Sequence, residues 1–243
     1  MRILSIDTSA PAGSVAITDG QRLLAQEQQG VAGTHADRLI ASINHLLGIA
    51  CISREDIDAI AVAIGPGSFT GLRIGLATAK GFSLAMGIPL AGASSLASLA
   101  LNGRGFSGTV VSLIDARRGE IYAAAWRVDA EGEMRAVLKE CVAPPETVVK
   151  LLKKIKGKLL LIGDGTIEYG AALVKSLGRR ARIATGTQLL PQASNLAELV
   201  MGRLACGKGD DVSSLAPNYI RRSDAEIGFL GRGASAGPRK GKR

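Results

Sequence analysis

The chain has 243 residues, 47% hydrophobic and 21% charged, with a formal net charge of +9, a composition that can bury a large core without staples and excludes a disordered or fibrous chain. No stretch reaches the ~18 uninterrupted apolar residues of a membrane span, because Gly, Pro and Ser interrupt even residues 86–101. The start runs from Arg2 through Ile3–Ile6 into Asp7 with no secretory apolar region, so the expected location is cytoplasmic.

Ile3–Ile6 reads as a strand, the cluster Asp7-Thr8-Ser9-Ala10-Pro11-Ala12-Gly13 as a turn, Ser14–Thr18 as a second strand and Arg22–Gln28 as a third. From Thr34, a plausible N-cap, to Ala50 the apolar residues Ala36, Leu39, Ile40, Ile43, Leu46, Leu47 and Ala50 follow the rhythm of an amphipathic helix. Ala59–Ile64 is a short apolar strand closed by Gly65-Pro66-Gly67, and Thr70–Met86 is a second helix stopped by Gly87 and Pro89. Val110–Ile114, Asp115 and Ile121–Val128 then repeat the pattern of strand, aspartate, turn and strand. That repetition suggests a duplicated fold with two similar lobes. Asp129–Gly132 supplies a hairpin turn, and Pro144-Pro145 opens a helix through Lys156. Lys158–Ile162 is a strand, and 167–177 and 195–205 are helical. The expected division is an N-terminal lobe over 1–103, a C-terminal lobe over 104–230 and a flexible tail over 231–243.

Charge and metal-binding residues narrow the chemistry. Residues 232–243 hold Arg232, Arg239, Lys240, Lys242 and Arg243 and no acid, so removing those five charges leaves a body at only +4. With 3% aromatics, the chain lacks an interleaved stacking platform for single strands. The three cysteines, Cys51, Cys141 and Cys206, form no CxxC pair and are expected to be reduced and mostly buried. His35 and His45, ten apart on one helix, are separated by about 15 Å and about 1000° of rotation, so they cannot share a metal. No GxSxG elbow and no Ser or Cys triad is visible.

Two kinds of feature remain. The loop Gly65–Gly71 at a strand-to-helix junction is a natural anion site or a tight turn capped by Ser68 or Thr70, and it lacks the Lys of a P-loop. Asp7, Thr8 and Ser9 in the first turn, Asp115 in the second, and Gly163-Asp164-Gly165 match the plan of a nucleotide cleft between lobes. Each is also ordinary turn chemistry. On the second helix Gly71, Gly75, Ala79 and Ser83 make a ridge of small residues, while Arg73 and Lys80 share one azimuth. Leu76, Phe82 and Met86 then call for a second cover, either the first helix or a partner's helices.

The runs ILSIDTSAPAGSVAI, AIAVAIGPGSFTGLRIGLATAKGFSLAMGIPLAGASSL, DARRGEIYAAAW and LAPNYIRR resemble the TsaB, or YeaZ, family up to about Ile220. The resemblance implies the α/β two-lobed fold of the ASKHA superfamily (actin, Hsp70 and sugar kinases, ribonuclease H-like). It also implies a non-catalytic subunit of the machinery that adds threonylcarbamoyl to the adenosine next to the anticodon of tRNAs. The implied partners are a TsaD-like catalytic paralogue, a TsaE-like ATPase, tRNA through the complex, and a second copy when the chain is alone. The paralogue's HxxxH metal pair would fall on His35 and Leu39, so the second ligand is absent and metal-dependent transfer is not implied. The implied interface is a four-helix bundle. The residues placed on it are His35, Leu39, Ile43, Leu46, Leu47, Gly71, Gly75, Ala79, Phe82 and Ser83. No tightly bound cofactor is implied, though ATP or ADP with magnesium at or near the cleft or the partner interface stays open. The competing readings are an ATPase or small-molecule kinase using Asp7, Thr8 and Asp115, and a tRNA-binding module acting through the basic tail.

Overall fold

Strands buried almost along their whole length set the architecture of the computed structural model, which describes residues 1–29 and 35–221, excepting the side chains of 29 and 35–37. The first half runs β1 (Arg2–Asp7), β2 (Gly13–Asp19), β3 (Arg22–Gln29), α1 (His35–Ala50), β4 (Ala59–Gly65), α2 (Phe69–Met86), β5 (Leu90–Ser94) and α3 (Ser95–Ala100). The second half runs β6 (Thr109–Arg117), β7 (Glu120–Val128), β8 (Met134–Ala143), α4 (Pro145–Lys153), β9 (Leu159–Ile162), α5 (Gly165–Leu177), β10 (Ala181–Ile183) and α6 (Ala193–Ala205). The two sheets have orders β3-β2-β1-β4-β5 and β8-β7-β6-β9-β10. In each, three strands form an antiparallel meander and two more join in parallel through helical crossovers. This is the duplicated two-lobed α/β fold that the repeated strand-aspartate-turn units imply.

Each sheet is buried on both faces. In the first, Leu4, Ile6, Ile60 and Val62 face α1 and α2, whereas Ile3, Ala59, Ala61 and Ala63 face Leu196, Ala197, Val200 and Leu204 of α6. Small alanines at alternate positions of β4 let α6 lie close to the sheet. Conversely α3 leaves its own half and packs Leu96 and Leu99 on Val110, Ile114 and Trp126 of the second sheet. The last helix of each half therefore covers the other half's sheet, and the lobes are interlocked.

The ridge of small residues on α2 points inward. A Cβ on Gly71 would collide with the Thr8 carbonyl, and one on Gly75 with the Thr8 hydroxyl. Ala79 is fully buried, and the Ser83 hydroxyl donates to Ile88 O at 2.7 Å. Leu39, Ile43, Leu46 and Leu47 are likewise in the first core, and Phe82 packs against it. Their assignment to a partner interface is corrected: they face the home sheet and the β1–β2 loop, because that is where the sheet needs its cover. His35 opens α1, but its side chain and Thr34 lie outside the described residues, as does the expected tail.

Part of the second cover for α2 comes from the chain's own C-terminal stretch. Residues 206–221 run back from α6 over the first lobe as a strap. Asp210 exchanges hydrogen bonds with β5, donating its N–H to Leu90 O and accepting from Gly92 N at 2.7 Å. Val212 and Leu215 pack on the first core, Lys80 Nζ donates to Ser213 O at 3.4 Å, and Asn218 N donates to Ile64 O at 2.6 Å. Asp211 accepts from the hydroxyls of Ser213 and Ser214, which hold its pKa down at about 2.

Other differences from the sequence reading are local. β5 (LAGAS) and the three-residue β10 carry few β-branched or aromatic side chains, so neither announces itself. α4 ends at Lys153 and not Lys156, ahead of Gly157 at φ +91°. Cys51 and Cys206 are exposed, and Cys141 is half-buried. Among the described residues no helix is long and apolar enough to cross a membrane.

The inward ridge generates a pair of opposite expectations. Gly71→Ala should lower unfolding free energy by about 2 kcal/mol or more through overpacking against Thr8. Gly81→Ala, where a Cβ meets nothing within 4 Å, should raise it by up to about 1 kcal/mol through helix propensity. Urea unfolding of the two variants measures both signs.

Candidate functional site: the interlobe cleft

Where the carboxyl ends of β1 and β6 approach one another, two adjoining cavities of ≈ 280 and ≈ 420 Å³ open between the lobes. They share Ser9, Pro11, Ile114, Asp115, Arg117 and Asp164. A crevice at the carboxyl ends of strands is where α/β sheets place ligands. Of the residues singled out for a cofactor, Ser9, Asp115 and Asp164 line this cleft, whereas Asp7, Thr8 and Gly163 do not.

Those three are withdrawn because the chain's own backbone takes them. Asp7 is buried and its Oδ1 accepts from Ser9 N at 3.0 Å and Ser9 Oγ at 2.6 Å, an Asx turn that shapes the β1–β2 loop. Thr8, also buried, donates its hydroxyl to Gly71 O at 2.7 Å. Ser68 N donates to Ser9 O at 2.7 Å, and a Cβ on Gly67 would strike that same carbonyl. The Gly65–Gly71 loop is thus a seat for the β1–β2 loop, with Ser68 capping α2 by accepting from Gly71 N at 3.2 Å. The second lobe repeats the device. Gly163, at φ +110°, presses on Leu113 O and leaves no room for a Cβ, so its close approach is to strand β6 and not to a base or sugar.

Asp115 lies within β6, since the strand continues to Arg117 and the turn falls on Arg118-Gly119. Arg117 and Arg118 hold positive φ of 61° and 56°, a conformation uncommon for residues other than glycine. Asp115 supports it: Oδ1 accepts from Arg117 N at 2.8 Å and Oδ2 pairs with the guanidinium at 3.1 Å. Asp164, at the start of α5, accepts from Asp115 N at 3.2 Å. Burial pushes the Asp164 carboxyl above the usual range, and the nearby Asp115 charge adds to this, while the Asp115 N–H opposes it.

The strap completes the rim with Tyr219 and Arg221, to which the sequence reading gave no site role. The Tyr219 ring stacks on Phe69 at 5.0 Å and its hydroxyl accepts from Arg73 Nε at 3.0 Å, while the Arg73 guanidinium lies 3.8 Å over Phe69. Arg221 crosses to the other lobe, donating to Ala116 O at 2.7 Å and pairing with Glu120 at 3.2 Å. The available signal was the pairing of DARRGEIY with NYIRR, each polar and aromatic at once. Nothing local links two segments a hundred residues apart.

For Mg-nucleotide the fit is poor. At the α2 loop Ser68 N is engaged by the Ser9 carbonyl and Gly71 N by the Ser68 hydroxyl, the Thr8 hydroxyl donates to Gly71 O, and the Asp7 carboxylate accepts from Ser9. Among the described residues no group of three His, Cys, Asp or Glu is arranged to hold a metal.

Comparison with known proteins agrees with the architecture. The family model described as "TsaD: tRNA N6-adenosine threonylcarbamoyltransferase" matches residues 17–229. The "tRNA threonylcarbamoyladenosine biosynthesis protein TsaB" of Bacillus subtilis is 32% identical over 95% of this chain and 98% of its own length. The protein of the same name from Escherichia coli is 32% identical over 93% and 96%. A Pseudomonas aeruginosa crystal structure, described as similar to the peptidase YeaZ, superposes with a TM-score of 0.75 at 30% identity, covering 90% of this chain and 99% of that one.

Asp164 provides a test of the cleft's electrostatics. Its raised pKa means that protonation favours the folded state, so its contribution is fully present below the unfolded carboxylate pKa and lost as pH rises through the folded value. Asp164→Asn keeps an acceptor for Asp115 N and removes the buried charge, so it should be at least as stable as the parent at pH 7–8, with the advantage shrinking in acid. Asp164→Ala, which orphans that N–H, should cost about 1 kcal/mol. Thermal unfolding of both between pH 4 and 8 checks the order.

Proposed function

The chain belongs to the TsaB family, and we propose that it acts as a non-catalytic scaffold subunit in tRNA threonylcarbamoyladenosine biosynthesis, binding and activating a TsaD-like catalytic paralogue. The observation carrying the non-catalytic part is the seating of Ser9 and Thr8 on the α2 loop. The loop at the N-terminus of α2, a natural anion site, here holds the chain's own backbone. A protein so built works through its surface.

The surface that supports partner docking is the outward side of α1 and α2, opposite the residues first chosen. Ile40, Ile49 and Leu84 are 45, 55 and 72% exposed. Ala41, Gly48, Ala77, Gly81 and Ala85 are exposed on the same two helices. Small residues between exposed Ile and Leu suit close antiparallel helix packing, and burying three such side chains contributes several kcal/mol to association. In this reading the partner's equivalent helices complete a four-helix bundle, a second copy takes the place when the chain is alone, and a TsaE-like ATPase and tRNA join through the assembled complex.

Leu84→Arg combined with Gly81→Leu should leave the chain folded with a thermal midpoint no lower than the parent's, abolish co-purification with the catalytic paralogue and cut threonylcarbamoylation by the reconstituted system about tenfold or more. Retention of the complex would reject the docking face. Calorimetry of the isolated chain with Mg-ATP should register neither binding nor turnover. A turnover lost in Asp115→Asn would favour an ATPase instead.

A further inference from the structure

We infer that the β10 edge of the C-terminal lobe is a docking face for an RNA phosphate backbone, centred on the groove between Phe106, Lys158, Arg179 and Arg182. The net charge of the chain misleads because it averages over segregated segments. Residues 1–149 hold twelve Lys or Arg against fourteen Asp or Glu, and residues 183–221 hold three of each. Residues 150–182 hold nine against two. Those two acids, Asp164 and Glu168, line the interlobe cleft. All the excess positive charge of the described chain therefore belongs to the segment running from the end of α4 to β10.

The fold gathers part of it around one groove. A depression of ≈ 570 Å³ is lined by Arg104, Phe106, Lys158, Arg179, Arg180 and Arg182, with no acidic side chain in its wall. Lys158, Arg179 and Arg182 are exposed and have no ion-pair partner among the described residues. Arg104 alone is neutralised, by Glu198. Arg180 donates through Nη2 to Leu152 O at 2.7 Å, yet its buried Nε has no hydrogen-bond partner. The Arg182 guanidinium lies over the Phe106 ring, 5.0 Å from its centre, within cation–π range. Guanidinium forks, an ammonium and a half-exposed ring fit the phosphates and an unstacked base of RNA. An acidic protein surface would meet the forks but leave the ring without a stacking partner. The face lies on the C-terminal lobe, while α1 and α2 belong to the other. A subunit docked through those helices thus keeps it open to a tRNA held by the complex.

This inference deepens the tRNA part of the proposed function and rests on it, but its readout is RNA binding by this chain alone. Failure here and failure of partner capture are separate results. Fluorescence anisotropy of the full chain against a fluorescein-labelled tRNA transcript, titrated over a series of KCl concentrations, provides the measurement. K158A/R179A/R182A should weaken binding about tenfold or more and lower the slope of log K against log salt by about two to three. R22A/R54A/K139A, which removes the same charge elsewhere, should stay within about twofold of the parent. Both differences should survive deletion of residues 232–243. Equal loss in the two triple variants, or loss only on deleting 232–243, overturns the inference. So does binding to phosphatidylserine-containing vesicles that tracks the groove residues while the transcript stays unbound.

Discussion

The carbonyl of Thr8 occupies the place where a side chain on Gly71 would begin, and much of the molecule is arranged around that one close approach. Gly67, Gly71 and Gly75 lack the Cβ atoms that would hold the β1–β2 loop off α2. Once the loop is seated, the Thr8 hydroxyl and the Ser9 carbonyl satisfy groups at the start of the helix. The second lobe places Gly163 against Leu113 in the same way. In the first lobe the Ser9 carbonyl takes the Ser68 N–H at the N-terminus of α2. Interior density leaves little slack for such a loop to withdraw.

The cleft is further fixed by exchange of covering elements. α3 and α6 each pack on the opposite sheet, and the strap carries Tyr219 and Arg221 from one lobe to the other. Opening the lobes would require uncovering two hydrophobic faces at once. That cost favours a rigid body whose outer faces meet other molecules, and it separates this chain in physical terms from a clamp that closes on substrate.

Much of the fold was legible because hydrophobic period and turn chemistry are local. The β1–β3 meander, α1, β4 and α2 stand within a residue or two of where alternation, Gly-Pro punctuation and capping place them, and the repeated unit at Asp115 is present with β6 running three residues further, to Arg117. β5 and β10 were not legible, being short and poor in branched side chains. The candidate site was legible only in part. Ser9, Asp115 and Asp164 line the cleft, while Thr8 and Gly163 are seats for backbone, and a sequence cannot say whether a glycine makes room for a ligand or for its own chain. The ridge of Gly71, Gly75, Ala79 and Ser83 failed for the same reason. Four-residue spacing shows that something lies close, and here it is the home loop. Charge segregation along 150–182 was visible as counts, but the groove required the fold to bring Phe106 beside Arg182.

The central claim is that this chain works by lending the outer faces of α1 and α2 to a partner while its interlobe cleft takes no part in that docking. Hydrogen–deuterium exchange of the chain, alone and saturated with its catalytic paralogue, tests it directly. The account predicts slowed exchange confined to peptides covering residues 38–49 and 77–86, with the cleft peptides at 115–122 and 164–168 unchanged. Protection at the cleft peptides with the two helices unaffected would contradict it.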